Sequence, residues 1–169
     1  MKKFLVIVCV VFLALTGCTS NSGKPFISKD SLSSNRSFVT DLKKQNVQVV
    51  QLGQKYRVIL PTDTLFKSNT AQLKQKYIIK VMVPLANLIQ NYGKHVQVYI
   101  TGYTDSVGST SSQLALAKQY ANAVAAYLWA QGIPLHNMHI KSLGNDDRVA
   151  SNQPQTSHYN RRVEVQFWG

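Results

Sequence analysis

The chain has 169 residues, 44% hydrophobic and 15% charged, enough for one modest globular domain with a short appendage and too few for a second domain of ordinary size. Nineteen Lys and Arg stand against seven Asp and Glu, a formal net charge of +12. That balance excludes an acidic solvating tail and points to an anionic neighbour such as lipid headgroups, nucleic acid or a carboxylate-rich polymer.

In chain order, Lys2 and Lys3 followed by the apolar run Phe4 to Leu15 read as an export signal over residues 1–17. The run is too short to cross a hydrocarbon core about 30 Å thick as a helix rising 1.5 Å per residue. Leu15-Thr16-Gly17-Cys18 then resembles the bacterial lipobox. The resemblance implies cleavage before Cys18 and acylation of its thiol. With Thr19 rather than Asp next, it also implies delivery to the outer membrane, with the remainder facing the periplasm. Each buried methylene of such an anchor contributes roughly 0.8 kcal/mol. Cys9 leaves with the signal, so neither a disulfide nor a cysteine metal site is expected in the body of the chain. Residues 19–37 are rich in Ser and too polar to offset their ordering entropy. Residues 18–37 are therefore expected to be an acylated cysteine on a flexible tether averaging about 25 Å end to end.

Residues 38–169 read as a single α+β domain. Phe38 to Gln45 predicts one or two helical turns. Val47 to Leu52 and Lys55 to Leu60 read as strands across a turn at Gly53-Gln54. Leu73, Tyr77, Val81, Leu85, Leu88 and Tyr92 recur at helical spacing after a cap at Asn69 or Thr70, with a kink expected at Pro84. His95 to Thr101 alternates as a strand. An Ala- and Leu-rich helix over Ser111 to Gln131 ends at Gly132. Met138 to Leu143 reads as a short strand, Asn145 to His158 as a polar loop, and Arg162 to Trp168 as a final strand.

Four segments in this order resemble the OmpA-like domain shared by OmpA and the Pal lipoproteins. They are Leu65 to Leu73, the turn Thr101-Gly102-Tyr103-Thr104-Asp105-Ser106-Val107-Gly108, the helix residues Leu116, Ala121, Val124, Tyr127 and Leu128, and Asn160-Arg161-Arg162-Val163-Glu164. The resemblance implies a mixed β-sheet with two main helices packed on one face. It also implies noncovalent binding of peptidoglycan through the diaminopimelate of the stem peptide. A zwitterion of that kind needs an anion for its ammonium and cations or N–H donors for its carboxylates. On this reading Asp105 receives the ammonium, and Thr104, Gly102, Gln113, Tyr120 and Arg161 are the further peptidoglycan-binding residues. Read alone, an Asp in such a turn is equally an Asx turn or a helix cap, and Arg161 and Arg162 equally pair with Asp146, Asp147 or Glu164.

The chain departs from the family pattern at the site. Tyr120 replaces the family's helix arginine, Gln113 an asparagine, Ala117 a serine, Lys67 an aspartate and Tyr103 a histidine. A phenol cannot form the charged fork that arginine gives a carboxylate, so Lys67, Lys118 or Arg161 would have to replace it. His95, His136, His139 and His158 lack metal-ligand spacing. Nor does the chain carry a nucleophile elbow, phosphate loop or nucleic-acid-binding motif. No enzyme activity, metal, cofactor or nucleic-acid partner is expected. Two functional readings follow. One is a tether between the outer membrane and peptidoglycan. The other is an interaction module of an envelope complex. Val58 to Asp63 and Ala126 to Gly132 resemble the OmpA-like lipoprotein of Dot/Icm-type (type IVB) secretion systems, which implies secretion-system core proteins as partners; Trp129 and Trp168 are candidate docking residues, with partly buried core positions as the alternative.

Overall fold

The computed structural model describes residues 29–68 and 70–169. The export signal, Cys18, the first part of the tether and Asn69 lie outside the described residues.

Helix α1 (Lys29–Lys44) leads into a hairpin of β1 (Gln48–Leu52) and β2 (Lys55–Pro61), whose turn places Gly53 at φ +60°. A single turn, α2 (Thr62–Leu65), follows β2 directly. Helical residues resume as α3 (Gln75–Tyr77), pass through a π-helical turn (Ile78–Met82) and continue as α4 (Val83–Gln90). Then come β3 (Gln97–Tyr103), the long α5 (Thr110–Ala130), β4 (Met138–Gly144) and β5 (Arg162–Trp168).

The five strands form one sheet in the order β1-β2-β5-β3-β4. β5 runs antiparallel to both β2 and β3, and β4 runs parallel to β3. Because β5 is the last strand yet lies in the middle, it joins the hairpin to the β3-α5-β4 crossover. Alternation along the strands sends Val58 and Leu60, Val98 and Ile100, and Val163 and Val165 to one face, where all are fully buried. The helices cover that face with Leu42, Leu85, Leu88, Val124 and Leu128, forming one continuous core. The expected mixed sheet and its two main helices are present, and α1 adds a third.

Two expectations need correction, and a third takes a particular form. The boundary placed between residues 37 and 38 falls inside α1. Asn35 is 4% exposed, and its side-chain oxygen accepts a 2.7 Å hydrogen bond from Nδ2 of Asn91, the residue that follows α4, so packing against the end of α4 holds this serine-rich segment helical. The helix expected from residue 69 or 70 begins at Gln75. Phe66 and Leu73 pair as an isolated antiparallel bridge, and the Lys74 amide donates to the Leu65 carbonyl at 2.9 Å, committing those backbone groups elsewhere. The kink at Pro84 takes the form of the π turn, in which the Val83 amide donates to the Ile78 carbonyl five residues back. The extra residue accommodates a ring that lacks an N–H donor and would clash in an undisturbed α-helix.

Candidate functional site

β2 and β3 run parallel, each antiparallel to the β5 between them, and both end at the same side of the sheet. Each is followed by the same dipeptide: Thr62-Asp63 after β2 and Thr104-Asp105 after β3. Arg161, the residue before β5, reaches both carboxylates. Its Nε donates to Asp63 Oδ1 at 2.9 Å and its Nη2 to Asp63 Oδ2 at 2.5 Å, while Nη1 donates to Asp105 Oδ2 at 2.5 Å. The three residues border a cleft of about 480 Å³, floored by Phe66 and Tyr120 and closed by the first turns of α5. A crevice beyond the carboxyl ends of parallel strands is where open α/β sheets commonly place ligands.

Neighbouring arginines serve different faces because strand residues alternate. Arg161 turns into the cleft, and Arg162 turns to the outer face of the sheet. There Arg162 Nε donates to Glu164 at 2.8 Å and Nη2 to the Asp147 carbonyl at 3.1 Å, and the guanidinium lies 3.7 Å from the Tyr103 ring centre. Arg57 grips the same carboxylate with two 2.8 Å bonds. Burial acts to raise the Glu164 carboxyl, but hydrogen bonds from the two guanidiniums outweigh it and hold the group below its ordinary range. Asn160, fully buried, receives the Val149 and Ala150 amides at 3.0 Å each and donates to the Ala150 carbonyl and Asn152. These bonds fold the polar loop back onto the start of β5.

Asp105 is 8% exposed and serves two roles. Its Oδ1 accepts from the Val107 amide at 3.2 Å, an Asx turn, while Oδ2 pairs with Arg161. Beyond the turn, Ser109 caps α5 by accepting from the Ser112 amide, and Gln113 Nε2 donates to the Gly108 carbonyl at 2.8 Å. Gln113 thus ties the turn to the helix while lining the cleft. The Thr104 hydroxyl is buried at the cleft wall with no hydrogen-bond partner among the described residues. Such a group costs roughly 1–3 kcal/mol until something bonds to it. Asp63, through its hydrogen bonds, is the main cause that lifts the Arg161 guanidinium further above its ordinary value, with Asp105 assisting. Burial raises the Tyr120 phenol, so it remains a neutral donor and acceptor.

The structure brings together five of the expected site residues: Asp105, Thr104, Gln113, Tyr120 and Arg161. Gly102 does not line the cleft. A Cβ on it would lie 2.0 Å from the Ala117 carbonyl oxygen, so its place is beneath α5, where the helix backbone rests directly on β3. Of the three cations considered as replacements for the helix arginine, Arg161 and Lys67 line the cleft and Lys118 does not. Tyr120 instead packs on Phe66 with ring centres 4.7 Å apart. The expectation for this site missed Asp63, although the repeated Thr-Asp at two strand ends marks it. Cys18 lies outside the described residues. Among those residues, no three His, Cys, Asp or Glu side chains gather to hold a metal ion.

The Probable lipoprotein YiaD of Escherichia coli K12 is 30% identical over 125 residues, covering 73% of this chain and 56% of that protein. Outer membrane protein A of Klebsiella aerogenes is 33% identical over 96 residues, covering 55% of this chain and 27% of that protein. The chain therefore spans about half, or less, of the length of these curated relatives. In fold it is similar to the cell wall anchor of the T6SS from Pseudomonas aeruginosa, with a TM-score of 0.69 at 23% identity over 79% of this chain and 95% of that one. It is also similar to the periplasmic domain of Helicobacter pylori MotB, with a TM-score of 0.62 at 23% identity over 72% and 81%. The profile of the OmpA family matches residues 65–162, more than half of the sequence, and the chain belongs to that family.

Proposed function

We propose that this chain is an outer-membrane lipoprotein, acylated at Cys18, whose OmpA-like domain holds peptidoglycan noncovalently from the periplasmic side. The observation that carries this reading is the convergence of Asp63, Asp105 and Arg161 on one cleft, with the Thr104 hydroxyl unbonded among the described residues in its wall. Two carboxylates share one guanidinium, so the cluster keeps a net negative charge that an ammonium would neutralise. Lys67 at the rim, which forms no ion pair among the described residues, would meet an adjoining carboxylate. Together these groups suit the zwitterionic head of diaminopimelate. The cleft's role is recognition, with no catalytic step.

A second reading rests on a separate observation. Trp129, in the last turn of α5, is 61% exposed. Aromatic side chains of this kind are enriched where proteins dock. An interaction module within a type IVB secretion core would use such a surface.

Cosedimentation with purified sacculi tests the first reading. The detergent-solubilised protein should pellet with sacculi and resist a high-salt wash, because partly buried pairs are screened less than exposed ones. Asp105→Ala should weaken binding about tenfold or more, the worth of one charge-assisted hydrogen bond. Equal pelleting of both proteins, with both released by salt, would overturn it in favour of the interaction module.

A further inference from the structure

A second groove, of about 660 Å³, lies on the other side of Arg161. The ridge between the two is α2 with Arg161 laid along it: Thr62 and Asp63 border the first cleft, and Pro61 and Thr64 border the groove. The ridge is pinned, because the Thr62 amide and hydroxyl both donate to the Arg161 carbonyl, at 3.0 and 3.1 Å. Lys43 from the end of α1, Asn46, and His158 and Tyr159 from the loop before β5 stand in the remaining walls, together with residues of β1, β2 and β5.

The two hollows differ in charge. The first contains both carboxylates of the Arg161 cluster. No carboxylate is among the residues lining the second, whose polar walls present a lysine, a histidine, an asparagine and Arg161. Lys43 makes no ion pair among the described residues; the nearby Asp41 is paired with Lys44 instead, at 3.1 Å. Asn46 stands at φ +59°, a left-handed position that asparagine tolerates better than most residues. Tyr159 is exposed, with its ring centre 4.0 Å from that of His158. A groove of this volume is within the range of ligand sites.

We propose that this groove is an anion subsite that receives a carboxylate of the same wall peptide whose ammonium lies at Asp63 and Asp105. The inference rests on the peptidoglycan reading above. The peptide would cross the ridge over Arg161, with its ammonium on the acidic side and a neighbouring carboxylate on the basic side, facing Lys43 and His158. Arg161 would serve as the divider, holding the two aspartates on the first side so that the groove's own positive charge comes from Lys43.

Titration calorimetry with two soluble muropeptides tests the subsite. One is a disaccharide-tripeptide containing diaminopimelate with free carboxylates, and the other is the same molecule with its glutamate carboxylate amidated. The wild-type protein should bind the free-acid form about three- to tenfold more tightly, the range of a partly exposed ion pair. K43Q with H158Q should remove that difference while leaving affinity for the amidated form unchanged. If both forms bind wild type equally, or the double variant keeps the preference, the subsite is refuted while the first cleft stands. If neither form binds wild type, the peptidoglycan reading itself fails and the subsite with it.

Discussion

Replacing Gly102 with alanine separates its structural role from any ligand role. The added Cβ would sit 2.0 Å from the Ala117 carbonyl oxygen, 2.7 Å from its carbonyl carbon and 3.2 Å from its Cα. All three are backbone atoms of α5, so no side-chain rotation relieves the overlap. The helix must lift by more than an ångström from β3 and β4, loosening the fully buried Ala121, Val124 and Leu128 along its length. Overpacking of this kind costs about 1–3 kcal/mol and occasionally more; an obstruction made of main chain belongs at the top of that range. For a chain of this size about 3 kcal/mol lowers the melting temperature by roughly 6–12 °C. Thermal unfolding followed by circular dichroism measures the shift. If Gly102→Ala melts within about 2 °C of wild type, the close approach of α5 to β3 is wrong. Loss of muropeptide binding at that unchanged stability would return Gly102 to the site.

Glu164→Gln should destabilise the fold by about 3 kcal/mol, because it leaves Arg162 buried without its counter-charge. The folded state depresses the Glu164 pKa below its unfolded value of 4.5, so its contribution is complete above that pH and is lost as pH falls through the folded value. The gap in melting temperature between Glu164→Gln and wild type should therefore narrow as pH drops from 7 to 3, and a constant gap would contradict the assignment. Asn35→Ala should cost about 1–2 kcal/mol in urea unfolding by stranding the Asn91 amide; no change would restore the idea that residues before 38 are only a tether. Cys18→Ala should abolish acyl labelling and shift the protein out of the outer-membrane fraction, whereas unchanged fractionation would remove the lipid anchor from the account.

Much of the fold is legible because its signals are local. Alternation in Lys55 to Leu60 marks a half-buried strand, the repeat of Val163, Val165 and Phe167 marks β5, and Gly132 marks the end of α5. The turn carrying Asp105 is visible through its resemblance to the OmpA-like pattern, since a Thr-Asp turn read alone also fits an Asx turn or a helix cap. What stays hidden depends on distant partners. α1 is composed like a linker, and only the contact of Asn35 with Asn91 and the burial of Leu42 show why it is ordered. Arg161 meets Asp63 and Asp105 across 98 and 56 residues of sequence, a pairing created when β5 inserts beside β2 and β3. Gly102 stands within the motif that carries the site, and its function becomes clear only when α5 is seen resting on it. Tyr120 reads as a defect when compared with an arginine at that place. In the structure it fills the floor against Phe66, while Arg161 supplies the guanidinium from the residue before β5.

The central claim is that the cleft between α2, the Asp105 turn and α5 recognises the ammonium-bearing residue of a wall peptide. The most direct measurement is a nuclear magnetic resonance titration of the protein with a soluble diaminopimelate muropeptide. It would follow the Val107 amide, the Gln113 side-chain amide and the Arg161 Nε–H. The account predicts saturable shifts at all three, abolished by Asp105→Ala in a protein that remains folded. Shifts confined to the outer face of the sheet around Tyr99 and Trp168, or none at any muropeptide concentration, would contradict it.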